Sequence, residues 1–417
     1  MVNQFSSQEV HGDYPAGFNV PNYHPVLTES EELWIEKANA RIRERDKQGK
    51  MSARQRCGQS QWGPGPVDRV PMALPAQSHI IPRIFDSYLD NPPILTNRDL
   101  LKHPNLYFLA ETIWRARFYC DWIYNSPVSF GEDILTKQFR LIDNGPPLAV
   151  EGFAKTKEDM EYFYDNVPDP AASGTWPIHL WLNKMRVKTL PELPSYGSAC
   201  AGHIASAGFF MGIKEFLLAV RKNPELAILA TKCVTKFINR KIDIMADVIG
   251  QQLNADGVGN MLYWCDGAGG FLTGAEFKLL FDEGYGASIT HSAKKGYAPC
   301  IAFAGPVPSM ELMCDHMGNL LGGGQVIGET PPYEDLWPVL HKYDNMYTEA
   351  NSQNKTLLAN DPEAAIRKDL GRLAALQAKT KLPRMMLEHA IDVLAPLPMV
   401  DLLIKLSFEI FTYPIKA

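Results

Sequence analysis

The chain carries three polar residues of catalytic type at places where a strand is predicted to end. His79, His203 and Asp266 each come shortly after a segment with the apolar character of a buried strand. In folds built from parallel strands, the reacting groups lie where the strands meet the loops that follow them. Burial and neighbouring charges can tune imidazole and carboxylate groups towards neutral pH, so each residue could act as a general acid, a general base or a substrate anchor. We therefore take these three as the candidate catalytic residues.

Asp266 has the most specific surroundings of the three. It directly follows a continuous apolar segment, 261–265, and precedes Gly267 and the glycine pair 269–270, which places a carboxylate beside flexible backbone. The catalytic interpretation predicts that Asp266 faces a cavity and that its exchange for Asn lowers turnover roughly a hundredfold without loss of stability. The alternative is that Asp266 forms an Asx-turn or caps a helix. For the two histidines, the alternative is a partly buried ring whose hydrogen bonds go to the backbone.

Strand and helix patterns alternate along the part of the chain that would position these residues. Short apolar segments at 70–74, 261–265 and 298–304 are typical of buried parallel strands. Helical spacing separates them, and Asn223 followed by Pro224 gives one helix a clear start. This succession predicts an α/β fold with right-handed βαβ crossovers, arranged as either a closed barrel or a doubly wound sheet.

The first 64 residues differ in character from the rest of the chain. Residues 1 to about 28 are polar and rich in Asn, Pro, Gly and Tyr. This composition predicts an extended arm that packs either on the main body or on a second subunit, and the second case would make the protein a homodimer. Residues 29–57 carry apolar residues at helical spacing and predict one amphipathic helix. We therefore divide the chain into an N-terminal arm with its helix, 1–64, and a main domain, 65–417.

The composition is that of a globular protein with no preference for polyanions. Of the 417 residues, 46% are hydrophobic and 21% are charged, and the formal net charge is -6 with scattered Lys and Arg. This distribution contains no cluster of positive charge of the kind that binds nucleic acid or an anionic membrane. The N-terminus has no leader pattern and no apolar stretch is long enough to span a bilayer, which predicts a cytoplasmic location. Seven cysteines without Cys-x-x-Cys spacing argue against a disulfide framework or a zinc ribbon.

Four segments carry a family resemblance. They are 52–56 with 67–71 (Ser-Ala-Arg-Gln-Arg and Val-Asp-Arg-Val-Pro), 208–225, 262–277 and 296–305. In their order and spacing they resemble the uroporphyrinogen decarboxylase superfamily, which also contains the methyltransferases of corrinoid-dependent methyl-transfer systems. The resemblance implies a (β/α)₈ TIM barrel that follows the N-terminal extension.

Two departures from the family pattern bear on the chemistry. Zinc-dependent methyltransferases of the family place His-x-Cys at the end of the strand that carries the chemistry, where this chain has Ala302 and Ala304. His389 lies near the place of a third zinc ligand. Uroporphyrinogen decarboxylase has an Arg-rich loop after its first strand to bind carboxylates, where this chain has Pro-Ala-Gln-Ser-His at 75–79. We therefore expect neither a bound metal nor porphyrinogen decarboxylation.

The resemblance leads to one main hypothesis for the function and leaves two alternatives open. The main hypothesis is a methyltransferase component that acts on a small organic substrate, binds no cofactor tightly, and receives cobalamin from a partner corrinoid protein. One alternative is a cofactor-free decarboxylase, a lyase of a cyclic or aromatic carboxylic acid, and the other is a non-catalytic binding protein with the same barrel. Five candidate substrate-binding residues lie near strand ends. Tyr263, Trp264, Phe303 and Gly305 are in the matched segments, and Gln77 is in the segment 75–79 that departs from the family pattern.

Overall fold

The computed structural model describes most of the chain between residues 27 and 415. The residues outside the description are 1–26, 62–65, 74–75, 78–104, 119, 122–124, 127–131, 141–147, 190–196, 254–260, 321–323, 328–331, 345, 352–353, 380–384, 390–395, 414 and 416–417. Nearly all of the predicted N-terminal arm and the candidate residue His79 lie outside the described residues.

Helices make up much of the described chain. They are α1 (Glu29–Gln48), α2 (Ala53–Gln61), α3 (Asn105–Phe118), α4 (Lys157–Asp165), α5 (Trp176–Thr189), α6 (His203–Met211), α7 (Ile213–Lys222), α8 (Pro224–Leu253), α9 (Gly274–Phe281), α10 (Tyr285–Lys294), α11 (Val307–Gly318), α12 (Tyr333–Leu340), α13 (Pro362–Gln377) and α14 (Leu397–Ile410). Taken singly, none of these helices has both the length and the apolar character needed to cross a membrane. The pair α6 and α7 meets that test only when the two are joined across a bend of 105°.

Strands alternate with the helices, as the sequence pattern predicts. They are β1 (Met72–Ala73), β2 (Ala76–Gln77), β3 (Asn125–Ser126), β4 (Thr136–Arg140), β5 (Leu148–Gly152), β6 (Gly197–Ala201), β7 (Met261–Asp266), β8 (Ala298–Phe303), β9 (Gly324–Ile327), β10 (Met346–Asn351) and β11 (Met385–Glu388). The central sheet has the order β1-β11-β10-β9-β8-β7-β6, and every neighbouring pair in it is parallel. The α/β class with a parallel sheet is therefore confirmed, and all the carboxyl ends of the sheet's strands point to one edge.

A further parallel segment lies beside β1. The backbone N–H of Asp121 donates to the carbonyl of Met72 at 2.8 Å, and β2 pairs in parallel with β3 just beyond. The parallel segments thus run from β3 at one end to β6 at the other, and we call the gap between these two strands the seam. At that seam the Glu132 carboxylate accepts the Ala201 N–H at 3.1 Å. A closed barrel stays a prediction, because no pairing across this seam occurs within the residues that the structure describes.

The N-terminal helix predicted over 29–57 is instead two helices, α1 and α2. At Gly49 the backbone turns to an extended conformation while its N–H still bonds the Arg45 carbonyl, and this ends α1. Ser52 then starts α2, because its hydroxyl accepts the Gln55 N–H at 3.2 Å and its own N–H donates to the Gln55 side chain at 3.0 Å. This local capping box overrides the continuous helical spacing. The division of the chain at residue 64 stays a prediction.

Candidate functional site

The two faces of the sheet differ at its carboxyl edge. On β7, Trp264 and Asp266 both contact Tyr285 of α10, and Phe303 of β8 packs against the same ring, so this face points to the helices. Side chains alternate along a strand, which places Cys265 and Ala302 on the opposite face. These two are neighbours in register and are partly exposed, whereas Trp264 and Asp266 are buried. We call the face away from the helices the inner face.

A carboxylate from another strand lies on the same inner face. His389, which follows β11, directs its ring to Ser407 of α14 at 2.9 Å, so alternation places the preceding residue, Glu388, on the inner face. Glu388 ends β11 in register with Ala73 and Asn351 of the neighbouring strands, and its residue is 4% exposed. A carboxyl group at the carboxyl end of a parallel strand can transfer a proton or bind a substrate hydroxyl.

Small side chains border this part of the inner face. Ala73 is the register partner of Glu388, and Ala201 and Ala302 flank Cys265 on the two neighbouring strands. Each of these positions carries only a methyl group at its strand end. The inner face therefore carries a thiol on β7 and a carboxyl group on β11, with small side chains beside both.

Asp266 is held by donors from the helix layer. Its Oδ2 accepts the Ile204 N–H at 2.9 Å and the Tyr285 hydroxyl at 2.6 Å, and its Oδ1 accepts the N–H groups of Ala205 at 3.2 Å and Ala268 at 3.1 Å. The residue is fully buried. The expectation that Asp266 faces the cavity therefore differs from the structure, in which its carboxylate caps the start of α6 from a neighbouring strand.

Burial and hydrogen bonding shift the pKa of Asp266 in opposite directions. Burial raises the pKa of this carboxyl to about 6, while the Tyr285 hydroxyl and the three backbone N–H groups oppose the increase. Gly202 is required beside it, because a Cβ atom there would overlap both the Tyr285 hydroxyl and the Asp266 side chain. Close packing of this kind is typical of a positioning group rather than of a substrate-facing acid.

His203 lies at the first position of α6, next to the residues that Asp266 caps. Its Nε2 is 2.8 Å from the Ser288 hydroxyl, which in turn donates to Asn239 Oδ1 at 2.7 Å. Because the Ser288 proton is used on Asn239, Nε2 of His203 carries a proton and donates it to Ser288. The His203 ring also packs on Tyr285, with centroids 4.4 Å apart, so the structure brings His203 and Asp266 together in the helix layer.

Two buried histidines predict a loss of stability in mild acid. Burial lowers the pKa of His203 and of His389 to about 3, from 6.5 for a free side chain. Below pH 6.5 the unfolded chain binds protons that the folded chain excludes, so each ring costs about 1.4 kcal/mol of stability per pH unit as the pH falls. Between about pH 6 and pH 4, Asp266 offsets the stability lost through one of the two histidines. Its raised pKa means that the folded state binds a proton on this carboxyl at a higher pH than the unfolded state does.

Urea denaturation at a series of pH values measures this effect. We expect stability to fall between pH 6.5 and pH 4, and the His203→Asn variant to show a slope smaller by about 1.4 kcal/mol per pH unit. A variant with the wild-type slope would contradict the assignment of a buried neutral ring to His203.

The other candidate residues of the sequence lie in different places. Trp264 and Phe303 are buried between sheet and helices, where they pack on Tyr285, and substrate contact there would need a change of packing. Gly305 is required by packing, because a Cβ atom there would meet the Phe303 ring. For Gln77 and Tyr263 the structure describes the backbone alone, in β2 and β7.

The described residues offer no set of metal ligands. No group of three or more His, Cys, Asp and Glu side chains within the described ranges is placed to hold a metal ion. His389 points to α14, whereas Ala302 lies on the inner face, so these two of the three family positions for zinc are on opposite sides of the sheet. The family's zinc site therefore does not fit this chain.

Comparison with known proteins identifies a solved structure with a similar fold. The sequence matches no family model and no curated protein. Among solved structures, a methyltransferase from Methanosarcina mazei superposes with a TM-score of 0.65 over 86% of this chain and 98% of that chain, at 17% sequence identity. The two proteins share a fold. At this identity the likeness concerns the fold, and the activity of the M. mazei protein is not transferred by it.

Sequence reasoning missed Glu388. The segment 384–388 has the pattern of a possible strand, and His389 attracts attention as a metal ligand, but alternation along the strand assigns the two residues to opposite faces. With one of them in the helix layer, the other necessarily faces inward. The strand pattern at 384–388 is visible in the sequence, but the sequence does not tell which face of that strand the helices cover.

Proposed function

We propose that this chain is the methyltransferase component of a corrinoid-dependent system, which moves a methyl group between a small organic substrate and a corrinoid carried by a partner protein. The observation that carries the proposal is the fold shared with the M. mazei methyltransferase over 86% of this chain. The four segments that resemble the corrinoid-linked superfamily support it independently of the superposition.

The inner face at the carboxyl edge is the proposed reaction site. Parallel α/β folds place their chemistry at this edge. Cys265 and Ala302 are partly exposed there, and we propose that substrate and corrinoid meet above these small side chains. Methyl transfer needs such a meeting place, because the donor and acceptor atoms must meet in line.

A proton source is the main chemical requirement for removing a methyl group from oxygen or nitrogen. When the carbon–heteroatom bond breaks, its electron pair stays on the heteroatom, which must gain a proton to leave. The bound corrinoid would supply the electron pair that accepts the methyl group. We propose that the Glu388 carboxylic acid donates the proton, because it ends β11 on the inner face.

Asp266 and His203 have a supporting part in this proposal. Asp266 fixes the start of α6 through the N–H groups of Ile204 and Ala205, and His203 links the same turn to α10 through Ser288. These contacts thereby fix the position of the first turn of α6 beside the carboxyl edge of the sheet. The direct catalytic roles of Asp266, His203 and His79 stay predictions that variants can test.

A spectroscopic assay tests the proposed function. The purified protein is mixed anaerobically with chemically reduced free cobalamin and each member of a panel of methylated ethers, amines and thioethers. We expect at least one substrate to convert the absorbance of the reduced corrinoid to that of methylcobalamin, at a rate proportional to protein concentration. Rates equal to those without protein across the whole panel, with no binding of the corrinoid or substrates, would contradict the proposal.

A further inference from the structure

A charged cavity lies at the amino end of β1, on the side of the sheet opposite the proposed reaction site. Its volume is about 390 Å³. The walls come from the end of α1, from α2, from the segment that leads into β1, from α3 with the residues after it, and from α14. None of its lining residues belongs to the inner face described above.

Among the described residues that line this cavity, positive charges outnumber negative ones. Four guanidinium groups face three carboxylates, and these residues are Arg45, Arg56, Arg69, Arg115, Asp46, Asp68 and Asp121. Two of the guanidinium groups are neutralised within the wall. Arg56 bonds Asp68 at 2.6 and 2.8 Å and Asp121 at 2.5 Å, and Arg69 bonds Asp121 at 2.5 and 2.9 Å.

Among the described residues, Arg115 has no carboxylate partner of its own. It is 2% exposed, its terminal nitrogen reaches the Asp121 carbonyl at a long 3.5 Å, and its Nε has no hydrogen-bond partner in the part of the chain that the structure describes. Glu111, one turn earlier on α3, is bound by Arg186 through contacts of 2.8 and 2.9 Å. Burial lowers the pKa of Arg115, as expected for a charge that its surroundings do not balance.

An uncompensated guanidinium in a protein interior is costly, because it loses hydration without regaining hydrogen bonds. We propose that the cavity binds a small oxyanion of the phosphate class, which pairs with Arg115 from inside and with Arg45 at the rim. An oxyanion fits because its several acceptor oxygens suit the planar fork of a guanidinium group. This site is separate from the proposed methyl-transfer chemistry and does not depend on it.

The other walls suit the same ligand. Phe408 forms an apolar wall on which the guanidinium groups of Arg45 and Arg69 lie, at 5.4 and 4.6 Å from its ring centre, and this holds both cations at the cavity. Asp46 is the carboxylate that would oppose an anion. Burial and the nearby Asp121 raise the pKa of Asp46, which makes its protonation beside a bound anion less costly than in water.

Inorganic phosphate tests the site with the full-length protein. We expect saturable binding in isothermal titration calorimetry and a rise in Tm of about 4 °C at saturation. Potassium chloride at equal ionic strength serves as the control for screening, and sodium acetate as the control for a single carboxylate. A Tm rise of the same size with chloride, or equally tight binding of acetate, would overturn the proposal.

Two variants locate the binding. Arg115→Met removes the buried charge while keeping most of the volume, and Arg45→Met removes the exposed rim cation, which leaves the core intact. We expect each variant to weaken phosphate binding at least about tenfold, since each loses a charge-assisted contact. Arg367→Met is the matched control, because Arg367 is a surface residue that bonds Glu363 and Glu409 away from the cavity. Wild-type affinity in both cavity variants, or absence of saturable binding in the wild type, would overturn the proposal.

Discussion

Glu388→Gln is expected to lower the rate of methyl transfer at least about a hundredfold, as the loss of a general acid does. The amide keeps the size of the side chain on the inner face and removes the proton that the leaving heteroatom needs. The measurement is the initial rate of methylcobalamin formation with the substrate that the panel identifies, per mole of folded protein.

A surface glutamate supplies the matched control for this variant. Glu334 is exposed and its carboxylate bonds Arg372 on the outside of the molecule, so Glu334→Gln should retain the wild-type rate. If Glu388→Gln kept full activity while Glu334→Gln behaved as expected, the proton would have to come from another group. Cys265, the partly exposed thiol of the same face, would then be the residue to exchange.

The Asp266→Asn variant is expected to lose about 3 kcal/mol of folding stability. The carboxylate accepts three backbone N–H groups and the Tyr285 hydroxyl. The contacts with Ile204 and Tyr285 are buried, and those with Ala205 and Ala268 are partly buried. An asparagine offers one acceptor oxygen, and its NH₂ group would point at N–H donors that cannot reverse their direction. Urea denaturation at pH 7 measures the change.

An exposed capping residue shows what the same exchange does without burial. Asp169 accepts a single N–H, from Ala171 at 3.1 Å, at the surface. Asn is as good a cap as Asp there, so Asp169→Asn should change stability by less than about 0.5 kcal/mol. If Asp266→Asn instead kept the wild-type stability and lost turnover about a hundredfold, the catalytic interpretation of Asp266 would be favoured over the positioning role.

Apolar runs made the strands predictable, and the same runs hid the orientation of their side chains. The segments at 261–265 and 298–304 correspond to β7 and β8 nearly residue for residue. Strands buried on both faces carry apolar residues at every position, so no alternation reveals which side meets the helices. The sequence therefore predicts a cavity position for Asp266, whereas in the structure its carboxylate faces α6 and α10.

The charged cavity depended on contacts that local patterns do not encode. Arg56, Asp121 and Phe408 lie far apart in the chain, and only the packing of α2, α3 and α14 around β1 brings them together. The Asp-Arg-Val-Pro segment was visible as a family feature. Its part in pairing two arginines with two aspartates became visible only with the fold.

The fate of two labelled carbons in one substrate tests the central claim most directly. An aromatic acid that also carries a methyl ether is labelled with ¹³C in both the methyl and the carboxyl carbon and is incubated with the protein and reduced cobalamin. The proposed function predicts that the methyl label appears as methylcobalamin while the carboxyl label stays on the demethylated product. Release of the carboxyl label as carbon dioxide, with the methyl label still on the substrate, would contradict methyl transfer and favour a decarboxylase.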